Sequence, residues 1–119
     1  ASDSSLPSSG QRKQNPALIT PQTIPGAYHV FNQYVIQTPD RDGVRAALGD
    51  AGVATGIHFP IPSHEQSAYR YLGIRPDDLP VTHRLCRQIL SLPMFPQLTR
   101  AQAERVVKAG WPALVAGCR

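Results

Sequence analysis

The 119-residue chain has few cysteines and lacks long apolar runs. Two cysteines, Cys86 and Cys118, are too few for the disulfide framework of a small secreted protein, so we expect a reducing, cytoplasmic location. No segment approaches the roughly 18 consecutive apolar residues that a membrane-spanning helix needs, and the Ser-rich start does not resemble a secretory signal. We therefore expect a soluble protein with no membrane partner.

Clustered positive charge and activated lysines are also missing. The 12 Lys and Arg outweigh the 8 Asp and Glu, yet the longest basic run is Arg12-Lys13. Nucleic-acid binding usually needs a clustered basic stripe, so no nucleic-acid partner is expected. The only lysines are Lys13 and Lys108, and both are expected to be solvated. We predict no catalytic residue in this chain.

Proline, by contrast, is abundant, with 12 residues that predict many breaks between elements. Residues 1–15 are polar and rich in Ser, which predicts a disordered tail or linker. Residues 16–119 are long enough for one folded domain and too short for two.

Hydrophobic periodicity and turn signals predict short elements in the order β-α-β-α-α-β-α. The predicted strands cover residues 29–38, 53–59 and 89–94, and the predicted helices cover 39–51, 67–72, 80–88 and the region after the capping box of Thr99 and Gln102. This order predicts an α+β domain with one small, mainly antiparallel sheet of three to four strands and helices mostly on one face. The predicted core is Val30, Ile36, Ile57, Leu90, Leu92, Val106 and Trp111.

Four histidines are the side chains best suited to chemistry near neutral pH: His29, His58, His64 and His83. His58 and His64 flank a proline-rich loop, which could direct both imidazoles towards one ligand. In the alternative interpretation, one ring faces solvent and the other satisfies a buried backbone group. The spacing of these histidines and Cys86 matches no zinc pattern, so no metal site is predicted.

Three motifs in a fixed order resemble a known family: NQYVI at 32–36, GIHFPIPSHEQSAY at 56–69 and LSLPMFPQLT at 90–99. From Leu18 to Leu114 the chain resembles the C-terminal part of DegT/StrS-type sugar aminotransferases. Those enzymes use pyridoxal phosphate to aminate keto-sugars attached to a nucleotide. The resemblance implies the small domain of a fold-type I aminotransferase.

The resemblance also implies a set of substrate-binding residues: His58, Phe59, His64, Gln66 and Tyr69, with Asn32 and Gln33 as neighbours. Members often have His at the position of Asn32 and an acid near that of His83. A structural role competes for Phe59 and Tyr69, since both would also serve as core residues. Imidazoles, amides and aromatic rings are physically suited to the phosphates and hydroxyls of a nucleotide sugar.

In such enzymes a large domain carries the lysine that binds pyridoxal phosphate, and this chain has no counterpart for it. We therefore expect a fragment that is inactive alone and binds no pyridoxal phosphate by itself, although the full-length enzyme would use that cofactor. The implied partners are a nucleotide sugar, the missing large domain and a second copy in a homodimer. The alternative is a free-standing module, descended from the domain, that binds a nucleotide sugar or a protein.

Overall fold

The computed structural model describes residues 18–116, apart from the side chain of Val115. The predicted tail and Cys118 therefore lie outside the described residues. Two strands and three α-helices follow in the order β1 (Tyr34–Gln37), α1 (Arg41–Asp50), α2 (Pro80–Gln88), β2 (Ile89–Leu92) and α3 (Arg100–Ala116). Three short 3₁₀ turns, Ser63–Glu65, Ser67–Leu72 and Pro76–Asp78, lie between α1 and α2. No helix within the described range has the length and apolar character to cross a membrane.

The sheet is smaller than predicted. Strands β1 and β2 pair antiparallel, with Ile36 opposite Leu90, and form a two-stranded sheet rather than one of three to four strands. The predicted strand at 53–59 contributes only a bridge between Gly56 and Ser91, whose two backbone bonds measure 3.0 and 2.7 Å. The prolines at 60 and 62 cannot donate to a ladder, so the alternating pattern before them does not extend into a strand.

Strand β1 begins five residues later than its predicted start at 29. Phe31 has a φ of 46°, in the left-handed region, and its N–H donates to His29 Nδ1 at 2.8 Å. This local bond satisfies the donor that a ladder would have used. Val30, predicted as core, is 77% exposed in this bend, so that prediction is wrong.

The helices are close to their predicted bounds. Helix α2 covers residues 80–88 as predicted, with Pro80 in its first turn, where a missing N–H costs nothing. Before α3, the Thr99 N–H donates to Gln102 Oε1 at 2.9 Å, and the Gln102 N–H donates to Thr99 Oγ1 at 3.2 Å. These reciprocal bonds confirm the predicted capping box.

The core lies between the sheet, α1 and α3, and its buried apolar members are Ile36, Val44, Leu48, Val53 and Leu90. Ile57, Leu92 and Val106 pack against it as partly buried residues. The prediction for Trp111 is wrong, because this residue is 56% exposed. Helix α3 approaches α1 at Gly110, where an added Cβ would lie 3.4 Å from Leu48 Cδ2. Trp111, the next residue, lies at the edge of this contact between the two helices.

Candidate functional site

Five of the seven predicted site residues lie in one irregular stretch, residues 57–79, which we call the connecting segment. It runs from the bridge at Gly56 to the start of α2 and is mostly exposed. Its backbone hydrogen bonds are largely local, as in the turns at Ser63–Glu65 and Ser67–Leu72. Side-chain contacts to β2 and α2 therefore determine where its functional groups lie.

The first contact holds His58 against the sheet. Its Nδ1 lies 2.9 Å from Oγ of Ser91, a buried residue of β2. Either tautomer of His58 satisfies this bond, because a hydroxyl both donates and accepts. The ring lies directly over Gly56, where a Cβ would come within 2.8 Å of His58 Cε1. A glycine is therefore needed beneath the imidazole.

Phe59 extends the same face outwards. The peptide bond between His58 and Phe59 is cis, and the two rings meet edge to face with centroids 5.8 Å apart. Phe59 is 70% exposed. The competing interpretation, in which Phe59 fills the core, is therefore wrong. An exposed aromatic ring beside an imidazole offers a ligand both a stacking surface and a hydrogen-bonding group.

The second contact joins the connecting segment to α2. Glu65 Oε1 lies 2.6 Å from Nδ1 of His83, and both side chains are largely buried. Arg87, one turn further along α2, places Nη1 3.5 Å from His83 Nε2. Glu65 is not among the site residues predicted from the sequence. The only available signal was the spacing of His83 and Arg87 on one helix face, which does not identify a partner eighteen residues earlier.

His64 is the buried member of the predicted set. Its side chain is 6% exposed, and its Nε2 lies 3.5 Å from Glu65 Oε1 without a hydrogen-bond partner among the described residues. His58 therefore lies on the surface and His64 is buried. These exposures agree with the alternative interpretation, in which one ring faces solvent and the other is buried. The predicted backbone bond to the buried ring is not observed within residues 18–116.

Charges near this contact affect two further groups. Bonds from the backbone and side chain of Arg75 hold the pKa of Asp78 below its ordinary value, and His64 adds to this effect. Burial raises the pKa of the Cys86 thiol, and the Glu65 carboxylate raises it further. No three of the His, Cys, Asp and Glu residues in the described range are grouped so as to hold a metal ion.

The remaining predicted residues are accessible but separate. Gln66 is exposed, and its carbonyl accepts the Tyr69 N–H at 3.0 Å, so both side chains belong to one turn. Asn32 and Gln33 are exposed in the bend before β1. No hydrogen bond within residues 18–116 joins these two to the connecting segment.

The described residues do not fit pyridoxal phosphate by themselves. Aminotransferases bind this cofactor covalently through a lysine that is activated by its surroundings. Within residues 18–116 the only lysine is Lys108, whose side chain is exposed on α3. A lysine that holds the cofactor covalently would have to come from outside the described part of the chain.

Comparison with known proteins identifies the family. The chain matches the DegT/DnrJ/EryC1/StrS aminotransferase family over residues 11–109. It is 41% identical over 91 residues to a pleiotropic regulatory protein of Geobacillus stearothermophilus, covering 76% of this chain and 24% of that protein. It is 40% identical over 86 residues to the UDP-N-acetyl-3-dehydro-alpha-D-glucosamine 3-aminotransferase of Acidithiobacillus ferrooxidans, covering 72% of this chain and 23% of the enzyme.

Structural comparison agrees with the sequence matches. The crystal structure of S. venezuelae DesV aligns with a TM-score of 0.76 and 35% identity, covering 82% of this chain and 26% of DesV. The chain thus spans about a quarter of the length of the relatives it matches. It belongs to the DegT/DnrJ/EryC1/StrS aminotransferase family.

Proposed function

We propose that the chain acts as the C-terminal small domain of an enzyme that transfers an amino group to a keto-sugar nucleotide. The observation that carries this proposal is the family match over residues 11–109, with coverage of about a quarter of each relative. Pyridoxal phosphate, when bound, supplies the electron sink for amino transfer. The chain contributes binding groups, is inactive alone, and acts in the cytoplasm with a large domain and as a homodimer.

The exposed residues of the connecting segment are proposed to form one wall of the nucleotide-sugar site. Imidazole and amide groups from His58 and Gln66 would bond the phosphates and hydroxyls, and the rings of Phe59 and Tyr69 would stack on a sugar or base. Buried His64 would act from behind this surface. Asn32 and Gln33, in the bend before β1, are proposed as neighbouring contacts.

Names of the relatives support the substrate class. One acts on a UDP-linked sugar, and the transaminase of Micromonospora megalomicea subsp. nigra, 38% identical over 90 residues, acts on a dTDP-linked sugar. The component shared by these substrates is a pyrimidine nucleoside diphosphate joined to a sugar. We propose the same component as the ligand of this chain.

The test is an amide chemical-shift titration of the isolated chain with UDP-N-acetylglucosamine. A site with only one wall should bind in the millimolar range, which corresponds to about 4 kcal/mol. We expect shifts of residues 57–69 that saturate, and weaker binding in His58→Ala but not in the control Arg45→Ala, which changes an exposed residue of α1. Micromolar affinity would instead favour the free-standing binding module, and unmoved resonances would contradict both.

A second experiment tests whether the chain is inactive alone. The chain is mixed with pyridoxal phosphate, treated with borohydride and examined by peptide mass spectrometry. We expect no specific labelling, because Lys108 lies exposed on α3. Stoichiometric labelling of Lys108 would show that the chain forms a cofactor site of its own.

A further inference from the structure

We propose that Glu65 and His83 are positioning residues, which fix the ligand-binding groups of the connecting segment against α2. The Glu65 carboxylate and His83 Nδ1 are 2.6 Å apart, a separation typical of a charge-assisted hydrogen bond. Glu65 lies between His64 and Gln66, two of the proposed site residues. A shift of Glu65 would therefore move both neighbours.

The partners of His83 orient its ring. Arg87 Nη1 lies 3.5 Å from His83 Nε2, which is the outer limit of a hydrogen bond. The Glu65 carboxylate can only accept, so the hydrogen bond between the two side chains is donated by the N–H at His83 Nδ1. Arg87 and Glu65 together orient this imidazole from opposite sides.

The surroundings of the pair support a fixed geometry. The Glu65 and His83 side chains are 24% and 31% exposed, so water has limited access to the bond between them. Three further charged or titratable groups act on this region. His64 Nε2 is 3.5 Å from the Glu65 carboxylate, while Cys86 is close enough for that carboxylate to raise its pKa, and Asp78 is affected by His64.

The hydrogen bond between Glu65 and His83 restricts the movement of the connecting segment because of where it lies. The backbone bonds around it are local, from Glu65 N–H to the Pro62 carbonyl and from Gln66 N–H to the Ser63 carbonyl. Among the described residues, the side-chain hydrogen bonds that join the segment to regular elements are those of His58 and Glu65. Removing the second would leave the turns after Pro62 held by local bonds and packing.

The test uses the chain with His83→Leu, which removes the donor, and His83→Asn, which keeps an N–H near the place of Nδ1. Arg84→Ala is the matched control, an exposed change on the same helix. Three readouts apply: the imidazole nitrogen shifts of His83, hydrogen exchange of the Gln66 and Tyr69 amides, and affinity for UDP-N-acetylglucosamine. Only the third depends on the proposed function.

We expect the parent chain to show a proton on His83 Nδ1. In His83→Leu, the two amides should exchange about tenfold faster and the affinity should fall severalfold, while amides of β1 and β2 stay unchanged. His83→Asn should recover most of both effects. The control should behave as the parent chain.

A His83 ring without a proton on Nδ1 would overturn the proposal, and so would unchanged amide exchange in His83→Leu. Binding to the parent chain that is equally tight in His83→Leu would also overturn it. If the parent chain does not bind UDP-N-acetylglucosamine, the proposed function fails. The nitrogen shifts and amide exchange then decide by themselves whether the pair positions the segment.

Discussion

Replacing Gly56 by alanine should displace the His58 ring and change the stability of the fold only slightly. The added Cβ would lie 2.8 Å from His58 Cε1 and 3.5 Å from both ring nitrogens. Carbon atoms do not approach so closely, so the ring must move away. The hydrogen bond of 2.9 Å between His58 Nδ1 and Ser91 Oγ cannot survive that movement unchanged.

The expected loss of stability is small. A neutral hydrogen bond of this kind contributes about 0.5–1.5 kcal/mol to the free energy of unfolding. Since His58 is exposed, its ring can move into solvent with little loss of packing. A Gly-to-Ala change also lowers the entropy of the unfolded chain, which offsets about 0.4–1 kcal/mol. The net destabilisation should stay below about 1 kcal/mol, or a fall in Tm of at most about 8 °C.

The assay combines thermal unfolding with the imidazole nitrogen shifts of His58. Gly56→Ala should change those shifts strongly, lower Tm only slightly and weaken binding of UDP-N-acetylglucosamine. Gly49→Ala in α1 is the control, because no atom lies within 4 Å of its added Cβ. It should leave His58 unchanged and raise stability by about 0.5–1 kcal/mol. Unaltered His58 signals in Gly56→Ala would refute the reasoning.

Three further predictions concern the core and two titrating groups. In chemical denaturation, Leu90→Ala should lower the free energy of unfolding by about 2–5 kcal/mol, because Leu90 is fully buried. The same change at the exposed Leu79 should lower it far less, and equal losses would contradict the core described above. Carbon-detected titration should place the pKa of Asp78 below 3.8 even in Arg75→Ala, since the backbone N–H of Arg75 is the larger cause. The contribution of the Asp78 carboxylate to the free energy of unfolding is present above pH 3.8 and is lost as the pH falls through the lower pKa that Asp78 has in the folded chain. An ordinary Asp78 pKa in Arg75→Ala would show that the Arg75 side chain is the larger cause. Alkylation of Cys86 at pH 8 should be slower in the folded chain than in the denatured chain, because burial raises the pKa of its thiol, and equal rates would contradict this.

The helices could be predicted because their signals are local. Pro80 begins α2 where a proline suits the first turn, and Thr99 with Gln102 forms the box before α3. Each of these patterns acts within a few residues and can therefore be recognised without knowledge of distant contacts. The burial of Trp111 failed for the opposite reason. Its exposure depends on the close approach of α3 to α1 at Gly110, which periodicity within one helix cannot reveal.

The extent of the sheet and the contacts of the site could not be predicted, because they depend on residues far apart in the sequence. Residues 53–59 alternate as a strand should, yet only Gly56 pairs, with Ser91. The motif around His58 and His64 left open which of the two rings would be buried, and the buried ring is that of His64. The contact between Glu65 and His83 joins a loop to a helix, and neither residue belongs to a pattern that specifies the other.

The connecting segment has an unusual balance of apolar surface and specific contacts. It exposes several large apolar side chains, namely Phe59, Ile61, Tyr69, Tyr71, Leu72 and Ile74. Where such side chains form one contiguous surface, that surface usually contacts another chain or domain. Yet His58 and Glu65 hold the same segment in a defined arrangement through Ser91 and His83. Defined geometry on an apolar, exposed surface supports the proposed function, in which this chain presents one wall of a site and a second domain completes it.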